Sequence, residues 1–212
     1  MIATPAKETS VRTYKASLVP KPNLPFEWNF QGDVGLEIGA GQGLHAINYS
    51  LNYPDRTLIA VEKTHTRYNL MRRRLDHHEQ ATNLYPVHAD ASAFATHFIP
   101  DASLARIFLL YPNPYPKSKQ ANLRWHNRPF FSALSAKLKP GGELTLATNL
   151  RWYADEAATV FVNAWQFELH EFTSRTGAPR THFEIKYLAR GETCWNLLFR
   201  KPACLPPPVT VQ

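Results

Sequence analysis

Cysteine is scarce in this chain: of 212 residues only Cys194 and Cys204 carry a thiol. The second sits in a proline-rich tail, so a bridge between them would staple little. A reducing compartment is expected, with the cytoplasm as the default. Long apolar runs are missing too. The greasiest stretch, Ile107 to Tyr111, has five residues, against the roughly 18 that a membrane span requires, so a soluble protein without a membrane partner is expected. The N-terminus lacks the charged-then-apolar layout of a secretory signal. Its Lys, Arg, Ser and Thr content hints at an organelle transit peptide, but Glu8 and the lack of an Arg-rich amphipathic face speak against one. Nine histidines, His77 and His78 among them, come without any Cys/His spacing, so no metal is expected. Ser118 has no His–Asp arrangement and Cys194 no activating neighbour, which removes hydrolase triads and thiol nucleophiles.

What remains is ordinary globular material, 44% hydrophobic and 19% charged, of a length that suits one domain and needs no disulfide or metal staple. It is expected as a monomer or homodimer. Lys and Arg number 24 against 17 Asp and Glu, a formal charge of +7, and nucleic acid is the commonest partner of such a balance. Residues 1–30 hold Pro5, Pro20, Pro22 and Pro25 without a sustained period and read as an N-terminal arm. Residues 31–201 read as the folded domain, and residues 202–212, with Pro206-Pro207-Pro208, as a flexible tail.

Within the domain strands and helices alternate. Val34 to Ile38, Leu58 to Val61, Leu84 to His88, Leu104 to Tyr111 and Glu143 to Ala147 read as five buried strands. Leu44, Ile47 and Leu51 have helical spacing, as do Tyr68, Met71 and Leu75, and again Tyr153, Ala157, Val160, Phe161 and Ala164. Asn127 reads as the N-cap of a helix with Pro129 in its first turn and Phe130, Leu134 and Leu138 as its apolar stripe. Lys137 and Lys139 suit its C-terminus, and Gly141 would end it. At the C-terminus, Phe183-Ile185-Tyr187 and Trp195-Leu197-Phe199 alternate around Gly191 and predict a hairpin. The fold class expected is α/β: a doubly wound, mostly parallel sheet with a C-terminal antiparallel hairpin.

Glu37-Ile38-Gly39-Ala40-Gly41-Gln42-Gly43 follows the first strand and opens the first helix. Glycines let the backbone pass close beneath a ligand and present its N–H groups. The spacing is G-x-G-x-G rather than that of dinucleotide clamps, and the Glu37 carboxylate favours an amine over a pyrophosphate. Glu62 ends the second strand, where a carboxylate can take both hydroxyls of a ribose. Asp90-Ala91 ends the third, placed for an adenine amine. Ribose, adenine and a cationic amino-acid tail together describe S-adenosylmethionine.

The loop after strand four, Tyr111-Pro112-Asn113-Pro114-Tyr115-Pro116-Lys117, is stiffened by prolines that fix φ near −65°. It holds Asn113 beside the expected methyl donor, with Tyr111 and Tyr115 available for stacking. Lys117, Lys119, Arg124 and Arg128, interleaved with Trp125 and His126, suit a polynucleotide backbone and an extruded base. Arg72-Arg73-Arg74 reads either as a second phosphate patch or as a solvated helix face.

At these residues the chain resembles the bacterial tRNA (guanine-N7)-methyltransferase family of class I, Rossmann-like, S-adenosylmethionine-dependent enzymes. Leu36-Glu-Ile-Gly-Ala-Gly-Gln-Gly43, the Y-P-N-P-Y-P-K loop, similar to F-P-D-P-W-P/H-K, Leu138 to Asn149 and Thr181-His182-Phe183-Glu184 carry the resemblance, with Trp195 and Asn196 near the family's W-D. It implies that 31–201 is a methyltransferase domain acting on tRNA. It implies that Glu37, Gly39, Gly41, Gly43, Glu62, Asp90 and Ala91 hold the cofactor. Asn113 then stands at the catalytic position, and Lys117, Asn149, Thr181, Phe183 and Glu184 meet the guanosine.

Two family aspartates are amides here, Asn113 and Asn149. Guanine N7 carries a lone pair and no proton, so its methylation needs orientation rather than a general base. A carboxylate accepts two hydrogen bonds side by side where an amide accepts one and donates one. The exchange costs a charge-assisted contact of about 1.5–3 kcal/mol, roughly 10–150-fold in rate, which describes a slowed guanine enzyme. Two other readings stay open: the same fold acting on a base amine or small molecule, since Asn113-Pro114 is similar to the (N/D)-P-P-(Y/F) loop of amine methyltransferases, and a non-catalytic cofactor- or RNA-binding relative.

Overall fold

The computed structural model describes residues 13–203. Residues 1–12 of the arm, with Pro5 and Glu8, and residues 204–212 of the tail, with Cys204 and Pro206-Pro207-Pro208, lie outside the described residues. Seven strands form one sheet: β1 (Val34–Ile38), β2 (Thr57–Glu62), β3 (Leu84–His88), β4 (Leu104–Leu110), β5 (Leu138–Thr148), β6 (Glu168–Ser174) and β7 (Trp195–Arg200). Their order is β3-β2-β1-β4-β5-β7-β6. The first five pair in parallel, while β7 runs antiparallel to β5 and to β6.

Parallel strands buried on both faces read as continuous apolar runs, and every residue of β1 is buried. Successive side chains alternate between two apolar layers. Leu36, Ile59, Val61, Ile107 and Leu109 face one layer, and Leu58, Ala60, Phe108 and Leu110 the other. The helices α1 (Leu44–Asn52), α2 (His65–Leu75), α3 (Ala91–Phe98), α4 (Phe130–Lys137) and α5 (Arg151–Asn163) connect the strands. Because β1 pairs with β2 on one side and β4 on the other, the winding reverses at β1, and a crevice opens beyond the carboxyl ends of these strands.

The described part of the arm is packed down. Leu24, Phe26, Trp28 and Phe30 lie on the first apolar layer, and Phe26 sets its edge against Phe94, at 4.8 Å between ring centroids. Two sequence expectations about α4 are corrected. Asn127 ends a 3-10 turn (Trp125–Asn127) and the helix begins at Phe130. The Asn127 amide instead donates to the carbonyl of Ala121 and to Glu156. Gly141 lies inside β5, three residues beyond its start, so the helix ends at Lys137 and not at the glycine.

The antiparallel pairing expected at the C-terminus is present, but its first arm is corrected. Trp195–Arg200 is a strand, but its hairpin partner is Glu168–Ser174, a polar edge strand with little apolar signal. Residues 182–188 form a helix, α6 (His182–Leu188). Thr181 caps it by accepting the N–H of Glu184 at 3.0 Å, and Phe183 stacks on Tyr187 one turn on, 6.0 Å between centroids. The T-x-x-E pattern that starts such a helix is present at Thr181 to Glu184 and outweighs the period-2 alternation.

Candidate functional site

The crevice at the carboxyl edge of β1 to β5 collects most of the singled-out residues. After β1 the chain turns sharply, with Gly39 and Ala40 donating to the Val61 carbonyl at 2.8 and 3.0 Å. Gly39, Gly41 and Gly43 all have positive φ, a backbone conformation that costs other residues about 1–2 kcal/mol. At Gly43 a Cβ would also sit 2.5 Å from Met71 Cγ, so glycine is doubly required there. Glu62, buried at the end of β2, braces this turn: Oε2 accepts the Gly41 N–H at 2.9 Å and Oε1 the Thr64 N–H at 2.7 Å.

Asp90 follows β3 and caps α3, accepting the N–H groups of Ser92 and Ala93 at 2.9 and 3.3 Å. Its other oxygen faces Lys63 Nζ at 3.1 Å. Burial pushes the Asp90 carboxyl up, but the Lys63 contact and the backbone N–H groups outweigh it and hold it below the usual carboxylate range. Helix α3 went unread in the sequence, although an aspartate before Ala-Ser-Ala is an N-cap signal.

Two hollows adjoin at Gly39. One, of about 120 Å³, is lined by Ile38, Gly39, Glu62, Asp90, Ala91 and Trp125 among others. The other, of about 230 Å³, is lined by Glu37, Gly39, Gly41, His45, Thr181 and Phe183 among others. In its wall the buried Glu37 Oε2 pairs with His45 Nδ1 at 2.9 Å, and the His45 ring lies edge-on to Phe108. Sequence reasoning passed over His45 because no metal spacing surrounds it. Its only signal is its place two residues past Gly43, in the first turn of α1.

Beside the second hollow stand three rings. Tyr111 packs against Phe183 and Tyr187 at 6.2 and 5.7 Å. Burial, with Cys194 and Glu184 adjacent, pushes the Tyr111 hydroxyl well above its ordinary ionisation range. Tyr111 and Tyr115 both have positive φ, so the proline loop is held in a conformation that its own residues resist. Asn113 Oδ1 accepts the Tyr115 N–H at 3.2 Å, and Asn113 and Lys117 are exposed. Below the loop, Arg124 donates to the Tyr115 carbonyl at 3.2 and 3.1 Å and pairs with Glu156.

That strap corrects the expected run of phosphate-facing cations: Arg124 and His126 are buried, while Lys117 and Lys119 are exposed and Arg128 lies over Trp125 at 4.7 Å. Arg74 is likewise committed, donating to the Gln42 carbonyl at 3.1 Å and to His182, with Arg72 and Arg73 left exposed. Glu184 is wholly buried and gripped by Arg180, whose Nη2 reaches Oε1 at 2.7 Å and whose backbone N–H reaches Oε2 at 2.6 Å. Burial pushes the Glu184 carboxyl up, and Arg180 overrides it and holds it low. Asn149 Nδ2 donates to Glu192 Oε2 at 2.6 Å. Gly43, Asn113, Lys117, Asn149 and Glu184 therefore line neither hollow.

No helix among the described residues is long and apolar enough to cross a membrane. Among them no group of three or more His, Cys, Asp or Glu is placed to hold a metal ion.

A family profile described as "Putative methyltransferase" matches residues 31–197. A tRNA (guanine-N(7)-)-methyltransferase of Sphingopyxis alaskensis is 32% identical over 204 residues, covering 87% of this chain and 86% of the relative. One of Nitrosococcus oceani is 29% identical over 180 residues, covering 84% and 76%. Among solved structures, the 16S rRNA methyltransferase KamB superposes with a TM-score of 0.60 at 17% identity, covering 81% of this chain and 88% of that one, a likeness of fold. The chain belongs to the tRNA (guanine-N(7)-)-methyltransferase family, built on the Rossmann-like methyltransferase fold.

Proposed function

We propose that this protein transfers a methyl group to N7 of a guanosine in tRNA, in the cytoplasm, with S-adenosylmethionine as donor. The observation that carries the reading is the pair of hollows meeting at Gly39, one walled by carboxylates and the other opening beside an aromatic cluster. The relatives' names point the same way.

The residues fit the donor. Glu62 spends one acceptor site of each oxygen on the glycine turn and Thr64, and an ionised carboxylate has about four, so two remain for ribose hydroxyls. Asp90 and Ala91 edge the same hollow as an adenine site. Glu37, steadied by His45, faces the other hollow as the counter-charge for an amino group. When bound, S-adenosylmethionine supplies an electrophilic methyl on a sulfonium. Guanine N7 brings its own lone pair and no proton, so the chain need only orient the base. Phe183 and Tyr187, backed by the buried Tyr111, offer it ring faces, Thr181 the rim of the hollow, and exposed Lys117 a cation for the RNA backbone. Asn113 orients the base from the rigid loop through a single hydrogen bond.

Labelled S-adenosylmethionine, unmodified tRNA and digestion to nucleosides test this, comparing wild type with Asn113→Asp. Labelled N7-methylguanosine is expected from both, made faster by the Asp variant by about 10- to 150-fold, one restored charge-assisted contact. No transfer from either form while cofactor binds would overturn the reading. Label on an exocyclic amine would hand the site to the amine-methylating alternative.

A further inference from the structure

A guanine turned with N7 toward a methyl donor carries N1–H and the N2 amine on its far edge. Two donors side by side call for a carboxylate. Near the aromatic cluster most candidates are already committed. Glu37 is buried against His45, and Glu184 is buried and gripped by Arg180. Asn113 and Asn149 are amides, and Asn113 already accepts the Tyr115 N–H.

Glu192 differs. It sits in the turn that closes α6, its side chain about one-third exposed at 35%. Gly191 makes that turn with φ +73°, and the Glu192 N–H donates to the Tyr187 carbonyl at 3.0 Å. The residue is thus fastened to the backbone of one of the three clustered aromatic residues. Oε2 is held by Asn149 at 2.6 Å, while Oε1 makes only a long ion pair with the exposed Arg190, at 3.8 Å, beyond hydrogen-bond distance. Its charge also reaches the aromatic cluster: burial first, and then Glu192, raise the Tyr187 hydroxyl above its ordinary range.

We propose that Glu192, positioned by Asn149, is the carboxylate that reads the N1–H and N2 amine of the target guanosine, an assignment resting on the guanosine substrate proposed above. The amide at 149 and the carboxylate at 192 form a matched pair. A second carboxylate at 149 would set like charges within hydrogen-bond distance. The negative charge that orients the base sits on the α6–β7 turn, and the end of β5 supplies the donor that aims it.

The test uses two tRNA transcripts, one with the target guanosine and one with inosine in its place, which keeps N7 and lacks the N2 amine. Wild type is expected to prefer guanosine by about 10- to 100-fold in kcat/KM, the worth of one charge-assisted hydrogen bond. Glu192→Gln should lose more on guanosine, which presents both donors, than on inosine, which keeps only N1–H, so the preference shrinks toward one, with S-adenosylmethionine affinity by calorimetry unchanged. Asn149→Asp alone should also lose rate, and Asn149→Asp with Glu192→Asn, which moves the charge across the pair, should regain part of the preference. A Glu192→Gln enzyme that keeps the wild-type preference, or a wild type with none, overturns the assignment alone. A wild type that makes no N7-methylguanosine overturns the guanosine reading and the assignment with it.

Discussion

Glu62 couples fold and ligand through one carboxylate. Its oxygens accept the Gly41 and Thr64 N–H groups, so Glu62→Ala both unbraces the glycine turn and removes the expected ribose contacts. Loss of one such contact is worth about 1.5–3 kcal/mol, so S-adenosylmethionine affinity measured by calorimetry should fall by at least about tenfold. Unchanged affinity would break the ribose assignment. At this scale the placement of Glu37, Glu62 and Asp90 around the crevice was legible because strand ends in a doubly wound sheet converge wherever the chain winds that way. His45 and Arg124 were not. Whether a histidine pairs with a carboxylate eight positions back, or an arginine turns inward under a loop, depends on contacts that local sequence does not encode.

Helix α6 shows how one element can satisfy two periods. Phe183, Ile185 and Tyr187 alternate as a strand would, yet Phe183 and Tyr187 also stand one helical turn apart and stack. The cap decides between the two, since Thr181 supplies the acceptor that a helix start needs. Thr181→Ala is expected to cost about 1 kcal/mol of stability in denaturant titration. It should raise KM for tRNA, because Phe183 and Lys186 on this helix border the second hollow. A stability loss with unchanged KM would mean that α6 only supports the fold.

Over the whole molecule, a histidine buried in the core sets part of the acid response. His126 is fully buried between Tyr153 and Phe161, with Glu156 Oε1 3.2 Å from Nε2. Burial pushes its pKa down and prevails over the Glu156 carboxylate. The native state therefore takes up a proton less readily than the unfolded chain. This contribution to stability is complete above about pH 6.5, the unfolded value, and is lost as pH falls below it. The denaturation midpoint is expected to fall between about pH 7 and pH 5, and His126→Phe should flatten that slope. A parallel slope in the variant would place the acid response elsewhere, in the self-repulsion of a chain of net charge +7.

The sequence by itself determined the parallel strands β1 to β5, the helices α1, α2, α4 and α5, the glycine turn and the proline loop, though not the limits of α4 and β5. Each rests on local physics: apolar periodicity, the missing Cβ of glycine, the fixed φ of proline. The tertiary structure decided the rest. It chose Glu168–Ser174 as the partner of β7, and it drew Arg124, His126 and Glu184 inward. Glu192 was left about one-third exposed with one oxygen held by Asn149. Pairing, burial and desolvation are set by residues distant in the chain, so which charges stay available for chemistry is settled only once those residues have met.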